Sequence, residues 1–168
     1  MIARKLLPLI IFAIAFGFVE AVVVVYLRRL FGLGSSQYEI GREQVSIMLP
    51  GLVFLEPRAA LAVIKDPSIL TIEKFREGAT VITLAAVATI AGKNLIQKIA
   101  YFLLAFGLWD IFYYVFLRLI IGWPRSLADL DIFFLLPVPW IGPVITPLIA
   151  SSVLVLTAFI ILKRKDNL

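Results

Sequence analysis

The 168-residue chain contains no cysteine and no histidine. Without thiols there is no disulfide or thiolate chemistry, and the redox compartment cannot be read. Without imidazoles there is no His-ligated haem, no usual zinc or copper site and no His-based triad. A metal would have to be held by carboxylates and carbonyls, a donor set that suits Mg²⁺ or Ca²⁺. Charge is also scarce, at 16% of the residues. No glycine-rich phosphate loop, serine-hydrolase motif or kinase motif is present. Enzyme is therefore the least supported class, and no cofactor is implied.

Apolar side chains are what the sequence has in excess. They make up 62% of the residues, and the mean hydropathy is +1.04. Soluble domains are nearer half apolar, so the surplus calls for an apolar solvent. A hydrocarbon core of about 30 Å takes about 20 residues of helix. One integral membrane domain over residues 1–168, all-α with about four transmembrane helices, follows. The net charge of +5 sits mainly at the ends of apolar segments, where basic groups meet anionic headgroups. The expected partner is the lipid bilayer, with other membrane subunits or a homo-oligomer as further candidates, and nucleic acid is not expected.

The first span is expected at about 6–29. Arg4 and Lys5 followed by an apolar run resemble a signal peptide, but Val19-Glu20-Ala21 is a poor cleavage site and the run continues, so a retained helix is expected. Glu20 lies near its middle, where an ionised carboxylate costs about 2.5–3.5 kcal/mol unless protonated or paired. Gly32 and Gly34 stop this helix, and Ser36 to Glu39 form a capping-box pattern for a short one that ends at Pro50-Gly51. Residues 45–64, interrupted by Glu56-Pro57-Arg58, are too short and broken to span. They read as interfacial or re-entrant, or as a loop packed across the helix ends.

Asp66-Pro67 is a helix start, with an N-cap acid before proline. The second span is placed at about 71–92, and Glu73, Glu77 and Thr80 share one face of it with Arg76 adjoining. The third span, about 99–121, carries Asp110, Tyr114 and Arg118 four residues apart, a polar stripe that should face protein or water. Residues 130–140 read as a short helix or re-entrant arm, with Ser126 or Asp129 as its cap. Pro143 opens the fourth span, 143–162. Such breaks either bind solutes or shape the approach to the last helix. Lys163 to Lys165 close the chain as a basic anchor. An even number of spans puts both termini on one side, expected to be the cytoplasm of a multi-pass cell-membrane protein.

Depth along these spans brings Glu20, Glu73, Glu77, Asp110, Arg76 and Arg118 toward one half of the bundle, with Tyr114 as a hydrogen-bond donor. Three roles fit such a cluster. It could bind or translocate a small polar or ionic species, or protons. It could be a paired network in a non-catalytic accessory or assembly subunit. It could be a carboxylate-held metal acting on a lipid phosphate, although the repeated aspartate motif of CDP-alcohol phosphotransferases is missing. The stretches from Arg76 to Thr80, Trp109 to Tyr114 and Asp131 to Pro143 resemble those of uncharacterised prokaryotic integral membrane proteins. That resemblance carries no activity and transfers no catalytic residue.

Overall fold

The computed structural model describes residues 3–30 and 44–166. The proposed capping box at Ser36 to Glu39 and the glycine stop at Gly32 and Gly34 lie outside the described residues, as do the side chains of Arg4, Lys5 and Lys165. Four long helices form the body: α1 (Ala3–Leu30), α3 (Pro67–Ala91), α4 (Leu95–Ile121) and α5 (Ile145–Asp166). The chain is mostly helical, but it is not all-α. The segments expected to be interfacial or re-entrant are two β-hairpins joined in one sheet.

The first hairpin pairs β1 (Val45–Leu49) with β2 (Leu52–Leu55), and the second pairs β3 (Leu130–Phe134) with β4 (Trp140–Pro143). All pairs are antiparallel and the order is β1-β2-β4-β3. Pro50-Gly51, expected to end a helix, instead makes the first turn. Gly51 has φ 75°, and proline followed by a positive-φ glycine is the sequence of a type II turn. These apolar segments are too short to span, and helix-breaking prolines interrupt them. Pairing their backbones across two hairpins satisfies groups that burial would otherwise leave bare. Residues 130–140 therefore hold a strand where a helix or arm was expected. Ser126 and Asp129 cap no helix: Ser126 Oγ accepts from the Ala128 N–H, and Asp129 accepts from the Arg125 N–H at 2.7 Å. A 3₁₀ turn (Pro57–Ala59) and a one-turn helix α2 (Ala60–Val63) lead from β2 toward α3.

Asp66 caps α3 as its sequence indicates, its carboxylate accepting from the N–H groups of Ser68 and Ile69. Hydrogen bonds from Ser68 hold this exposed carboxyl below its ordinary range. Asn94 caps α4 by accepting from the Gln97 N–H. Gly92 makes the tight α3–α4 turn possible, since a Cβ there would lie 2.7 Å from the Lys98 backbone nitrogen.

Helix α4 is the centre of the bundle and packs against α1, α3 and α5. Tyr101, Leu104, Ala105 and Leu117 of α4 are buried, with Ala13 and Ala21 of α1, Leu84 and Ala88 of α3 and Ala158 of α5. The sheet lies at one end, where α3 and α5 begin and α4 ends. Arg28 near the end of α1 reaches β3 there. Both described chain ends and the α3–α4 turn lie at the opposite end.

Among the described residues, three stretches are long and apolar enough to cross a membrane: Leu6–Leu30, Leu95–Ile121 and Ile145–Arg164. Helix α3, the expected second span, does not belong to this set because of its charged first half. Three of its four charges, those of Glu73, Arg76 and Glu77, turn inward, however. Glu73 is buried, whereas Ile72, Phe75, Ile82 and Ile90 are exposed along the outer side.

Gly107 marks the closest approach of α4 to α5, where a Cβ would stand 2.7 Å from the Ser151 carbonyl oxygen and from Val155 Cγ2. Gly107→Ala should destabilise the bundle by about 1–3 kcal/mol through overpacking. Gly78→Ala is the control, because a Cβ there makes only ordinary contact with Leu136 at 3.8 Å. Thermal unfolding in detergent should show a lowered midpoint for the first variant and none for the second.

Candidate functional site

A cavity of about 110 Å³ opens between α1, α3, α4 and β3 at the sheet end of the bundle. Five carboxylates and two guanidiniums line it. The site therefore carries three more acids than bases. Six of the seven residues singled out in the sequence, Glu20, Glu73, Arg76, Glu77, Asp110 and Tyr114, are on its wall. The helical spacing explains this: Glu73, Arg76, Glu77 and Thr80 occupy one face of α3, and Asp110 and Tyr114 lie one turn apart on α4.

Arg118 is the exception. It continues the four-residue stripe of Asp110 and Tyr114 but lies past the cavity, exposed near the end of α4. Its guanidinium donates to the carbonyl oxygens of Gly122 at 2.6 Å and Pro124 at 2.9 Å. There it satisfies the carbonyl of the C-cap residue Gly122 and one in the loop beyond it. It is a cap, not a cluster member.

The wall holds two ion-paired groups. In the first, Arg76 donates from Nη1 to Glu20 and from Nε to Glu73 at 2.8 Å. Thr80 Oγ1 adds a longer contact to Glu20 at 3.4 Å. This group ties α1 to α3. In the second, Asp131 of β3 accepts from Arg28 at 3.2 Å and from the Tyr114 hydroxyl at 3.0 Å. The Arg28 guanidinium also lies 3.6 Å from the centroid of the Trp123 ring, a cation–π contact. This group ties α1, α4 and the sheet together.

Glu77 and Asp110 are held differently. Glu77 accepts from the Leu135 N–H at 2.8 Å, and Asp110 from the Ser151 hydroxyl at 2.7 Å. Both donors are neutral. Among the described residues neither carboxylate forms an ion pair. A carboxylate anchored by one neutral donor on a cavity wall retains acceptor capacity for a proton or a cation.

Two members were not singled out in the sequence. Arg28 reads there as a headgroup anchor at the end of a span, and nothing local shows that it turns inward. Asp131 had a faint signal, as the lone acid between Leu130 and Leu136 in an otherwise apolar run. Its partners are distant in sequence, so only the fold reveals them. Trp109 also lines the cavity, and its buried indole N–H has no acceptor among the described residues. Among the described residues no three acidic side chains converge closely enough to hold a metal ion.

No family model, curated protein or solved structure matches this chain.

Burial pushes the Asp131 carboxyl from 3.8 up to about 6, against the opposing pull of Arg28 and the hydrogen bonds from Tyr114 and the Ile132 N–H. A carboxyl whose folded value is raised stabilises the fold fully below its unfolded value and loses that contribution as pH rises through the folded one. Stability should therefore fall between pH 4 and pH 7, and Asp131→Asn should flatten that slope in thermal melts. Removing one partner of a buried pair strands the other charge. Arg76→Ala strands Glu20 and Glu73 and should cost about 3–5 kcal/mol. Arg118→Ala, at an exposed cap, should cost no more than about 1 kcal/mol in the same denaturation assay.

Proposed function

We propose that this chain is a small multi-pass membrane protein whose acid-rich internal cavity binds, and passes across the bilayer, a small cationic species or protons. The observation that carries the reading is the convergence of five carboxylates and two guanidiniums on one cavity. Ionisable groups among apolar helices are costly and mark ion, solute or proton pathways when they line a wet space. The bundle here is read as four crossings. α3 is the fourth span, its charges covered by its neighbours and its exposed Ile72, Phe75, Ile82 and Ile90 turned to the acyl chains.

Within this reading the residues divide the work. Arg76 neutralises Glu20 and Glu73 and fixes the α1–α3 separation. Arg28 and Tyr114 hold Asp131 at the sheet side. Glu77 and Asp110, without ion pairs, exchange a proton for a cation. The termini and the α3–α4 turn, with Lys93, Lys98 and Lys163, are placed in the cytoplasm, and the sheet on the outer face of the cell membrane.

The second reading, an accessory subunit without chemistry of its own, is favoured by the internal pairing of Arg76 and Arg28. Flux separates the two. Purified protein in liposomes carrying a pH-sensitive dye inside is exposed to gradients of small cations. The proposed function predicts a cation-driven change of internal pH that falls at least about tenfold in Glu77→Gln and in Asp110→Asn, at equal reconstitution. An unchanged rate in both variants, or no response in the wild type, contradicts it.

A further inference from the structure

On the proposed reading Asp110 exchanges a proton for a cation, so the way its carboxylate is aimed matters. Among the described residues, none from α5 lines the cavity. That helix rests on α4 and makes no comparable contact with α1 or α3. Yet the one described hydrogen bond to Asp110 comes from it, through the Ser151 hydroxyl at 2.7 Å. Ser151 is only 2% exposed.

A serine or threonine inside a helix can turn its hydroxyl back to the carbonyl four residues earlier. Ser152 does so, donating to the Leu148 oxygen at 2.7 Å. Thr71 and Thr83 of α3 do the same, each at 2.8 Å, to the oxygens of Pro67 and Ala79. The Pro147 carbonyl stands four residues before Ser151, so the same local bond is open to it. Among the described α5 hydroxyls, Ser151 alone reaches another long helix. The dependence runs one way. The hydroxyl has an alternative partner on its own helix, and the carboxylate has no other described donor.

Helix α4 is shaped for this contact. Gly107 lies one turn before Asp110 on the same face. A Cβ at 107 would stand 2.7 Å from the Ser151 carbonyl oxygen, so any side chain there would push α5 away. The hydroxyl holds Asp110 by Oδ2 and leaves Oδ1 without a described partner. A carboxylate locked by one supporting hydrogen bond is pre-organised to offer its other oxygen.

We propose that Ser151 is a positioning residue for Asp110, and that α5 controls through this hydroxyl how fast the cavity exchanges its cation or proton. The assignment rests on the proposed function. A shift of α5 along α4 breaks the bond, lets Ser151 turn back to its own helix and leaves Asp110 unaimed. The α4–α5 contact is then where the site is regulated, by a helix that contributes none of the described cavity wall.

The test uses the full chain in the liposome flux assay, at equal reconstitution. Ser151→Ala should slow cation-driven flux about tenfold, roughly what one hydrogen bond to a charged group is worth. Ser152→Ala removes the neighbouring hydroxyl, bonded within α5, and should leave the rate unchanged. Ser151→Thr and Ser151→Val add nearly the same volume at the same place and differ in the hydroxyl. Their comparison therefore reads the hydroxyl even if both are less stable than the wild type. The first should recover most of the wild-type rate, and the second should stay about tenfold slower. A hydroxyl that only glues α4 to α5 would change the unfolding midpoint in detergent and not the flux of the folded protein.

Wild-type flux in Ser151→Ala, or equal rates in Ser151→Thr and Ser151→Val, overturns the proposal and leaves the proposed function standing. Absence of cation-driven flux in the wild type removes the two together.

Discussion

One guanidinium holds the polar interior in place. Arg76 donates to Glu20 on α1 and to Glu73 on its own helix, and both carboxylates are buried. Each of those acids alone would be expensive in an apolar interior. Together with Arg76 they become a fixed post between α1 and α3, two helices that otherwise touch little. The space that the post holds open is the cavity. Replacing a buried ion-paired group by well-packed apolar side chains is often neutral for stability. The pairing is therefore better understood as what keeps α1 and α3 apart at this depth than as a source of stability.

The sheet completes what the helices begin. Two hairpins, drawn from separate parts of the chain, close the same end of the bundle, and β3 carries Asp131 to the cavity wall. Asp131 binds Arg28 of α1 and Tyr114 of α4. The Leu135 N–H, just beyond β3, anchors Glu77 of α3. Three of the four long helices are thus tied to one strand and its end by polar contacts. The non-helical segments are part of the site, not connections between spans. The apolar side chains exposed on α3 fit the same plan, with Glu73, Arg76 and Glu77 inside and Ile72, Phe75 and Ile82 outside.

Much of this was legible in the sequence because helical spacing fixes which side chains share a face. Glu73, Arg76, Glu77 and Thr80 had to lie together on α3, as did Asp110 and Tyr114 on α4. Extrapolating that stripe one turn further, to Arg118, failed because the helix was ending. Free carbonyls at its C-terminus competed for the guanidinium and won. The sheet was not legible, because short apolar runs look alike whether they become strands or re-entrant helices. Prolines at 137, 139 and 143 signalled breaks without saying what lay between them. Arg28 and Asp131 were missed because their pairing spans 103 positions, and no local pattern encodes such a partner.

The central claim is that α3 turns the face with Glu73, Arg76 and Glu77 to the cavity it shares with α1 and α4, and its apolar face to lipid. The natural chain has no cysteine, so single cysteines can be introduced and spin-labelled without background. Collision with oxygen, which concentrates in acyl chains, and with a water-soluble nickel chelate should be measured in bilayers at positions 72, 75, 77, 80 and 82. The account predicts high oxygen accessibility at Ile72, Phe75 and Ile82, with Glu77 and Thr80 shielded from oxygen and reached by the chelate or by neither. Oxygen accessibility at Glu77 and Thr80 equal to that at Phe75 would place the charged face in lipid and contradict it.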